Sequence, residues 1–152
     1  MQVVNNKALL LNLKHPNKVT SVVPNSKAVG ANEVLVKWGV EETLTLKSLN
    51  IDVPSPIKGR YQWPGTYKPF EHQKTTAEFL TKHRKAFCFN EQGTGKTASA
   101  IWASDFLLSQ GVINRVLVVC PLSIMDSAWR ADLFTFAMHR TVDVAYGAKN
   151  KR

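Results

Sequence analysis

The chain lacks the features by which secreted and membrane-spanning proteins are recognised. Its 152 residues include only two cysteines, Cys88 and Cys120, and each belongs to an apolar run that is typical of a buried, reduced thiol. No apolar run approaches the roughly 18 residues that cross a bilayer, and residues 1–7 lack the charged-then-apolar order of a secretory signal. We therefore expect a soluble, cytoplasmic protein with no membrane partner.

Acidic residues are also scarce. Asp and Glu number 11 against 20 Lys and Arg, so the formal net charge is +9 and the isoelectric point is near 9.8. The surplus is +3 over residues 1–58 and +6 over residues 59–152, and therefore is not confined to a tail. Such a balance favours nucleic acid as a polyanionic partner, although it also fits a basic globular protein without one.

Prolines divide the chain into two parts. Pro54 and Pro56 stand two positions apart, where neither a helix interior nor a central strand is expected. Residues 1–56 predict a small α+β appendage with strands over 8–13 and 33–38 and a helix over 41–49. Residues 57–152 form the second and larger part.

The second part alternates helices with short apolar runs. Helices are predicted over 69–80, 97–110 and 123–137, with Gly111 after the second and a Ser123-to-Asp126 capping pattern at the start of the third. Apolar runs at 85–89, 115–120 and 141–146 are typical of buried parallel strands. This order predicts an α/β fold, an open parallel sheet flanked by helices.

A glycine-rich loop lies between the first predicted strand and the helix that follows it. Residues 90–97 read Asn-Glu-Gln-Gly-Thr-Gly-Lys-Thr, close to the phosphate-loop pattern G-x-x-x-x-G-K-[ST], except that Asn90 replaces the first glycine. Glycine permits the tight turn that aims backbone N–H groups at a phosphate, and the helix dipole adds positive potential. The predicted phosphate-binding residues are Gln92, Gly93, Thr94, Gly95, Lys96 and Thr97.

Two residues of this loop are the predicted catalytic pair. Lys96 supplies a charge for the β and γ phosphates, and the Thr97 hydroxyl is the predicted ligand of Mg²⁺. ATP and Mg²⁺ are therefore the expected cofactors. A bound anion other than a nucleotide is the alternative interpretation.

The loop and three other blocks resemble the Snf2-like branch of the superfamily 2 helicases and translocases. That branch usually reads Asp-Glu-Met-Gly-x-Gly-Lys-Thr at the loop. Block 68–73 is similar to the Q-motif, block 118–129 to motif Ia, and block 144–152 to the next strand with its basic stretch; the part before residue 57 resembles the leader of tailed-bacteriophage members. The resemblance implies that residues 57–152 are the first part of a RecA-like ATP-binding lobe.

The same resemblance implies the remaining site residues. Gln73 would contact the adenine edge, with Phe70, Tyr67 or Trp63 as the aromatic against the ring. Ser123 and Arg130 would contact a nucleic-acid backbone, DNA rather than RNA. A Ser at a helix start is a donor suited to phosphate, and the alternative for Ser123 is a plain cap.

One motif of that family is missing. No Asp-Glu dipeptide occurs in the sequence, although the family uses an acidic box to bind Mg²⁺ and orient water, and a second lobe to supply arginine fingers. We therefore expect this chain to be the N-terminal portion of an ATP-dependent DNA helicase or translocase. We expect it to be inactive without its partner, the remainder of that enzyme. The alternatives are a nucleotide- or nucleic-acid-binding module without turnover and a small-molecule kinase.

Overall fold

The computed structural model describes residues 1–147, which divide into two compact units. The first unit spans Met1–Tyr61 and the second begins at Gln62. The predicted boundary after residue 56 falls inside the first unit, in the first turn of a short helix. Residues 148–152, the basic end of the last family-like block, lie outside the described residues.

The first unit is built on a four-stranded antiparallel sheet. Its strands are β1 Gln2–Val4, β2 Ala8–Asn12, β3 Ser26–Ala28 and β4 Glu33–Lys37, in the order β1-β2-β4-β3. The predicted strands at 8–13 and 33–38 are therefore confirmed, and they pair with each other, Leu9 opposite Val36 and Leu11 opposite Val34. These four side chains are buried because alternate residues of a strand face the same side.

Three helices complete this unit. They are α1 Pro16–Thr20, α2 Val40–Ser48 and α3 Pro56–Arg60. The core against the inner sheet face adds residues from α1, α2 and the segments between elements, namely Val19, Val23, Trp38, Leu46 and Val53. The indole Nε1 of Trp38 donates to the Pro54 carbonyl at 2.8 Å, so the proline segment is bound to the core it follows.

A buried carboxylate holds the start of α2. Glu42 is 3% exposed and accepts a hydrogen bond from Asn25 Nδ2 at 2.7 Å. Its carboxylate folds back over Gly39, where a Cβ would overlap it. Burial lowers the pKa of Arg60, and the nearby Glu42 charge acts in the opposite direction. The hydrogen bond between Glu42 and Asn25 thus joins the first turn of α2 to the residue before β3.

Among the described residues of the second unit, all regular secondary structure is helical. Its helices are α4 Glu71–Lys82, α5 Lys96–Ser109, α6 Leu122–Ile124 and α7 Ala131–Phe136, with a π-helical turn at Met125–Arg130 between the last two. The helices predicted over 69–80 and 97–110 are confirmed, and Gly111 follows the second with φ +69° and its N–H on the Leu108 carbonyl. The centre of the unit is α5, whose Ile101, Trp102 and Phe106 are buried.

Aromatic rings and one buried carboxylate fasten other segments to α5. Trp102 makes edge contacts with Trp63 at 5.7 Å and Phe136 at 5.1 Å between ring centroids, and its Nε1 donates to the Pro64 carbonyl at 2.9 Å. Asp105, 4% exposed, accepts from Arg140 Nε at 2.5 Å and lies 2.8 Å from His139 Nε2. The chain before α4 and the chain after α7 are thereby held on the same helix.

The predicted RecA-like α/β domain does not form. The only sheet of residues 1–147 is the antiparallel one in the first unit, and none of the described residues from 62 onward pairs into a strand. The runs 85–89, 115–120 and 141–146, predicted as parallel strands, leave Phe87, Phe89, Leu117 and Val119 more than 80% exposed. A short apolar run indicates a segment that tends to be buried, but it does not identify the strand with which that segment would pair. No described residue pairs with these three runs in a sheet.

The third predicted helix differs from the expectation in two ways. The segment begins at Leu122, with Pro121 before it, so Ser123 lies within the first turn and caps nothing. A π-helical turn then interrupts the α-helical pattern up to Ala131. The predicted Ser123 cap was therefore wrong, because Pro121 occupies the N-cap position, two residues earlier.

Within residues 1–147, no helix is at once long enough and apolar enough to cross a membrane.

A substitution at Gly65 tests how closely the segment before α4 must approach the backbone of α7. Its φ is +114°, and a Cβ there would lie 2.5 Å from the Thr135 carbonyl oxygen and 2.8 Å from the Phe136 Cα. We expect Gly65→Ala to lower the free energy of unfolding by about 2–4 kcal/mol, since backbone strain and overlap combine. Gly111→Ala is the control: its φ is +69° with open space around it, so about 1 kcal/mol is expected. Equal losses in urea unfolding would contradict the steric argument.

Candidate functional site

Two glycines shape the backbone of the loop at residues 90–97. Gly93 and Gly95 adopt left-handed conformations, φ +78° and +76°, which only glycine adopts at low cost. The second of them is the N-cap of α5, and its carbonyl accepts the first helical hydrogen bond from the Ser99 N–H at 3.1 Å. No side chain caps this helix start, so the N–H groups of its first turn make no hydrogen bond to a capping side chain.

Lys96 closes the loop on itself. Its Nζ donates to the carbonyl oxygens of Asn90 at 3.0 Å and Glu91 at 2.7 Å. The Thr94 hydroxyl also donates to the Glu91 carbonyl, at 2.8 Å. The Lys96 ammonium group is therefore held by two neutral carbonyl oxygens of its own loop.

Helix α4 reaches the same loop from outside. His72 Nε2 lies 3.1 Å from the Thr94 carbonyl oxygen, and Gln73 Nε2 donates to that oxygen at 3.3 Å. The Gln73 Oε1 accepts from the Phe70 N–H at 3.0 Å, which orients the amide. The glutamine predicted to contact adenine thus joins the start of α4 to the phosphate loop.

The three aromatic candidates occupy different surroundings. Phe70, 68% exposed, stacks on His72 with centroids 5.7 Å apart and planes 9° from parallel. Tyr67 lies against Phe136 at 6.5 Å, and Trp63 packs on Trp102. Of these three, Phe70 is the one whose neighbours on α4 contact the loop.

An open cleft of about 460 Å³ lies between α4 and the loop. Its lining surface is mostly apolar, although the residues that form it carry polar side chains: His72, Thr75, Thr76, Asn90, Glu91 and Thr94. Such a volume is within the range of small-molecule sites. The cleft includes three residues of the loop, Asn90, Glu91 and Thr94.

The metal prediction concerns a single protein ligand. Thr97 lies in the first turn of α5, directly after Lys96. Among the described residues, no group of three His, Cys, Asp or Glu side chains could hold a metal ion by itself. Mg²⁺ usually keeps several waters and takes substrate phosphates as ligands, so one hydroxyl beside a phosphate cradle fits an ion that arrives with its nucleotide.

The predicted nucleic-acid contacts lie on the helical segment that begins at Leu122. Ser123 is exposed, and its carbonyl accepts from the Ser127 hydroxyl at 3.0 Å. Arg130 is exposed and forms an ion pair with Asp126 at 3.4 Å, one turn back. Both side chains lie at the surface, where exposed ion pairs hold a guanidinium only weakly.

Sequence reasoning missed three residues of the site. His72 and Thr76 contact the loop from α4, and the Asn90 side chain donates to the Thr76 hydroxyl at 2.8 Å. Positions 72, 73 and 76 share one helix face, since residues three and four apart are neighbours. The sequence signal that could have identified these contacts was the polar stripe at 72, 73 and 76, together with Asn90, which departs from the loop pattern.

Comparison of the chain with models of protein families, with curated proteins and with solved structures found no match.

The two loop glycines provide a matched pair of variants. A Cβ on Gly95 would overlap Gln73 Nε2, whereas one on Gly93 would meet nothing within 4 Å. We expect Gly93→Ala to lower the free energy of unfolding by about 1 kcal/mol from backbone strain alone. Gly95→Ala should cost about 1 kcal/mol more, because the Gln73 contact is lost as well.

The interpretation is tested by repeating both changes with Gln73→Ala. Without the amide there is nothing to displace, so the two glycine variants should then be equally stable in urea unfolding. A difference that persists in the Gln73→Ala background would show that the cost of Gly95→Ala does not come from this contact.

Proposed function

We propose that this chain binds ATP with Mg²⁺ through the loop at residues 90–97, as the ATP-binding portion of a DNA helicase or translocase. The supporting observation is the cradle itself: two left-handed glycines, a lysine held inside the turn, and an uncapped 14-residue helix starting at that lysine. The proposed place of action is the cytoplasm.

Lys96 would form stronger hydrogen bonds with phosphate oxygens than with its present partners. Its two acceptors in the loop are neutral carbonyl oxygens. Phosphate oxygens carry charge, and charge-assisted hydrogen bonds are about twice as strong as neutral ones. A triphosphate in the loop would therefore draw the ammonium from Asn90 and Glu91 onto its β and γ phosphates.

Backbone and hydroxyl groups would complete the phosphate site. The first turn of α5 offers N–H groups and the positive end of the helix dipole, both of which favour an anion. The Thr97 hydroxyl, next along that turn, would bind Mg²⁺. The ion would neutralise charge on the phosphates, while the protein supplies their position.

The motor role rests on sequence motifs. Residues 68–73, 90–97 and 118–129 follow one another in the order Q-motif, phosphate loop and motif Ia, as in Snf2-like enzymes. Gln73 and the loop meet at Thr94, which supports treating the first two blocks as one site. Net charge of +9, with exposed Ser123 and Arg130, supports DNA as the partner.

A second candidate is a nucleotide-binding module that does not hydrolyse ATP. It is favoured by the absence of any Asp-Glu dipeptide from the sequence. In the motor family that motif helps to hold Mg²⁺ and to orient water, so a chain that acts without it would position the phosphates but not hydrolyse them. Binding and turnover must therefore be measured separately.

The lysine variant tests nucleotide binding. Charged hydrogen bonds contribute about 1.5–3 kcal/mol each, so Lys96→Ala should weaken Mg-ATP binding at least about a hundredfold in calorimetric titration. Lys47→Ala, which removes the same charge from the last turn of α2, should leave the affinity within about twofold. Unchanged ATP affinity in Lys96→Ala would refute the assignment of the loop.

Phosphate release distinguishes the two candidates with the same variants. Steady hydrolysis by the unmodified chain that disappears in Lys96→Ala would rule out the module without turnover. Binding without hydrolysis, under conditions of saturating Mg-ATP, would instead support it for this chain.

The DNA contact is tested by a pair of variants on one ion pair. Arg130→Ala should weaken binding to duplex DNA and reduce the salt slope of the affinity by about one. Asp126→Asn removes the carboxylate 3.4 Å away, so it should leave binding unchanged or stronger. Fluorescence anisotropy across a salt series measures both, and equal weakening by the two variants would mean that helix stability, rather than phosphate contact, is at stake.

A further inference from the structure

The loop residue that departs from the phosphate-loop pattern makes a specific contact. Where the pattern has glycine, the Asn90 side chain donates from Nδ2 to the Thr76 hydroxyl oxygen at 2.8 Å, across 14 positions of sequence. Glycine could not make this contact. The substitution therefore adds a fastening point between the start of the loop and the middle of α4.

The direction of this hydrogen bond is determined by the chemistry of both groups. The Thr76 hydroxyl donates its hydrogen to the His72 carbonyl, one turn back, at 2.9 Å. Its oxygen is then left as an acceptor, which matches the amide N–H₂ of Asn90. The donor and acceptor roles of the two side chains therefore match, and the contact joins Asn90 to the middle of α4.

The main chain of the same asparagine holds the lysine. The Asn90 carbonyl oxygen accepts from Lys96 Nζ at 3.0 Å. A continuous chain of hydrogen bonds therefore runs from the backbone of α4 through Thr76 and Asn90 to the ammonium group. At the other end of the loop, His72 and Gln73 hold Thr94, so α4 fastens the loop on both sides of its tightest turn.

We propose that Asn90 is a positioning residue, which through Thr76 keeps the start of the loop in the geometry that receives the phosphates. This inference rests on the proposed nucleotide-binding function. Asn90 is exposed, and an exposed loop start without this bond would lose conformational freedom on binding. Ordering it beforehand lowers the cost of binding, so the bond acts on affinity for the phosphates with or without an attached nucleoside.

The test uses magnesium tripolyphosphate, which has no base or sugar, beside Mg-ATP in calorimetric titrations of the whole chain. Asn90→Ala and Thr76→Val should each weaken tripolyphosphate binding about fivefold, the worth of one neutral hydrogen bond. The double variant should also be weakened only about fivefold, because both changes remove the same bond.

Two further variants separate positioning from general damage to a helix. Thr76→Ser keeps the hydroxyl and should restore wild-type affinity. Thr45→Val deletes a hydroxyl that bonds one turn back on α2, to the Glu41 carbonyl at 2.9 Å, and should leave affinity unchanged. Thr76→Val that loses affinity while Thr76→Ser retains it supports the bond as the cause.

Three outcomes would overturn the inference. Single variants that bind tripolyphosphate as tightly as the unmodified chain would remove any role for the bond. Losses that multiply in the double variant, to about 25-fold, would mean that the two residues act independently. An unmodified chain that binds neither tripolyphosphate nor Mg-ATP would overturn the proposed function itself, and this inference with it.

Discussion

The left-handed turn at Gly95 is the constraint on which the second unit depends. It ends the loop and begins α5, and α5 carries the buried Trp102, Phe106 and Asp105, to which the preceding and following segments are fastened. The same turn places Lys96 at the first helical position. Stability and the candidate chemistry therefore share one backbone conformation, which glycine alone adopts without strain.

Helix α4 supports the loop that ends at this turn. It packs beside α5 and at the same time contacts the loop at Thr94 and Asn90, so its position and the loop's position are linked. A ligand in the cleft between them would touch both elements at once. The phosphate cradle is thus supported by neighbouring side chains as well as by its glycines.

Local patterns in the sequence were reliable guides to local structure. The proline at its start predicted α4, a broad apolar face predicted α5, a short apolar run predicted β2 and alternation predicted β4. The glycine-rich loop precedes α5 as predicted, but the strand predicted before it, over 85–89, does not form. Each of the confirmed elements depends on residues close together in the chain. The parallel sheet was wrong for the opposite reason: runs such as 115–120 needed distant partners, and apolar composition does not identify them.

The sequence by itself determined where the loop lies, which residues could bind phosphate, and the excess of positive charge. Only the tertiary structure decided that Gln73 and His72 meet Thr94 and that Asn90 contacts Thr76. The physical reason is distance along the chain. Glycine and lysine act through their own backbone and charge, whereas a side-chain hydrogen bond across 14 or more residues exists only once two helices have packed.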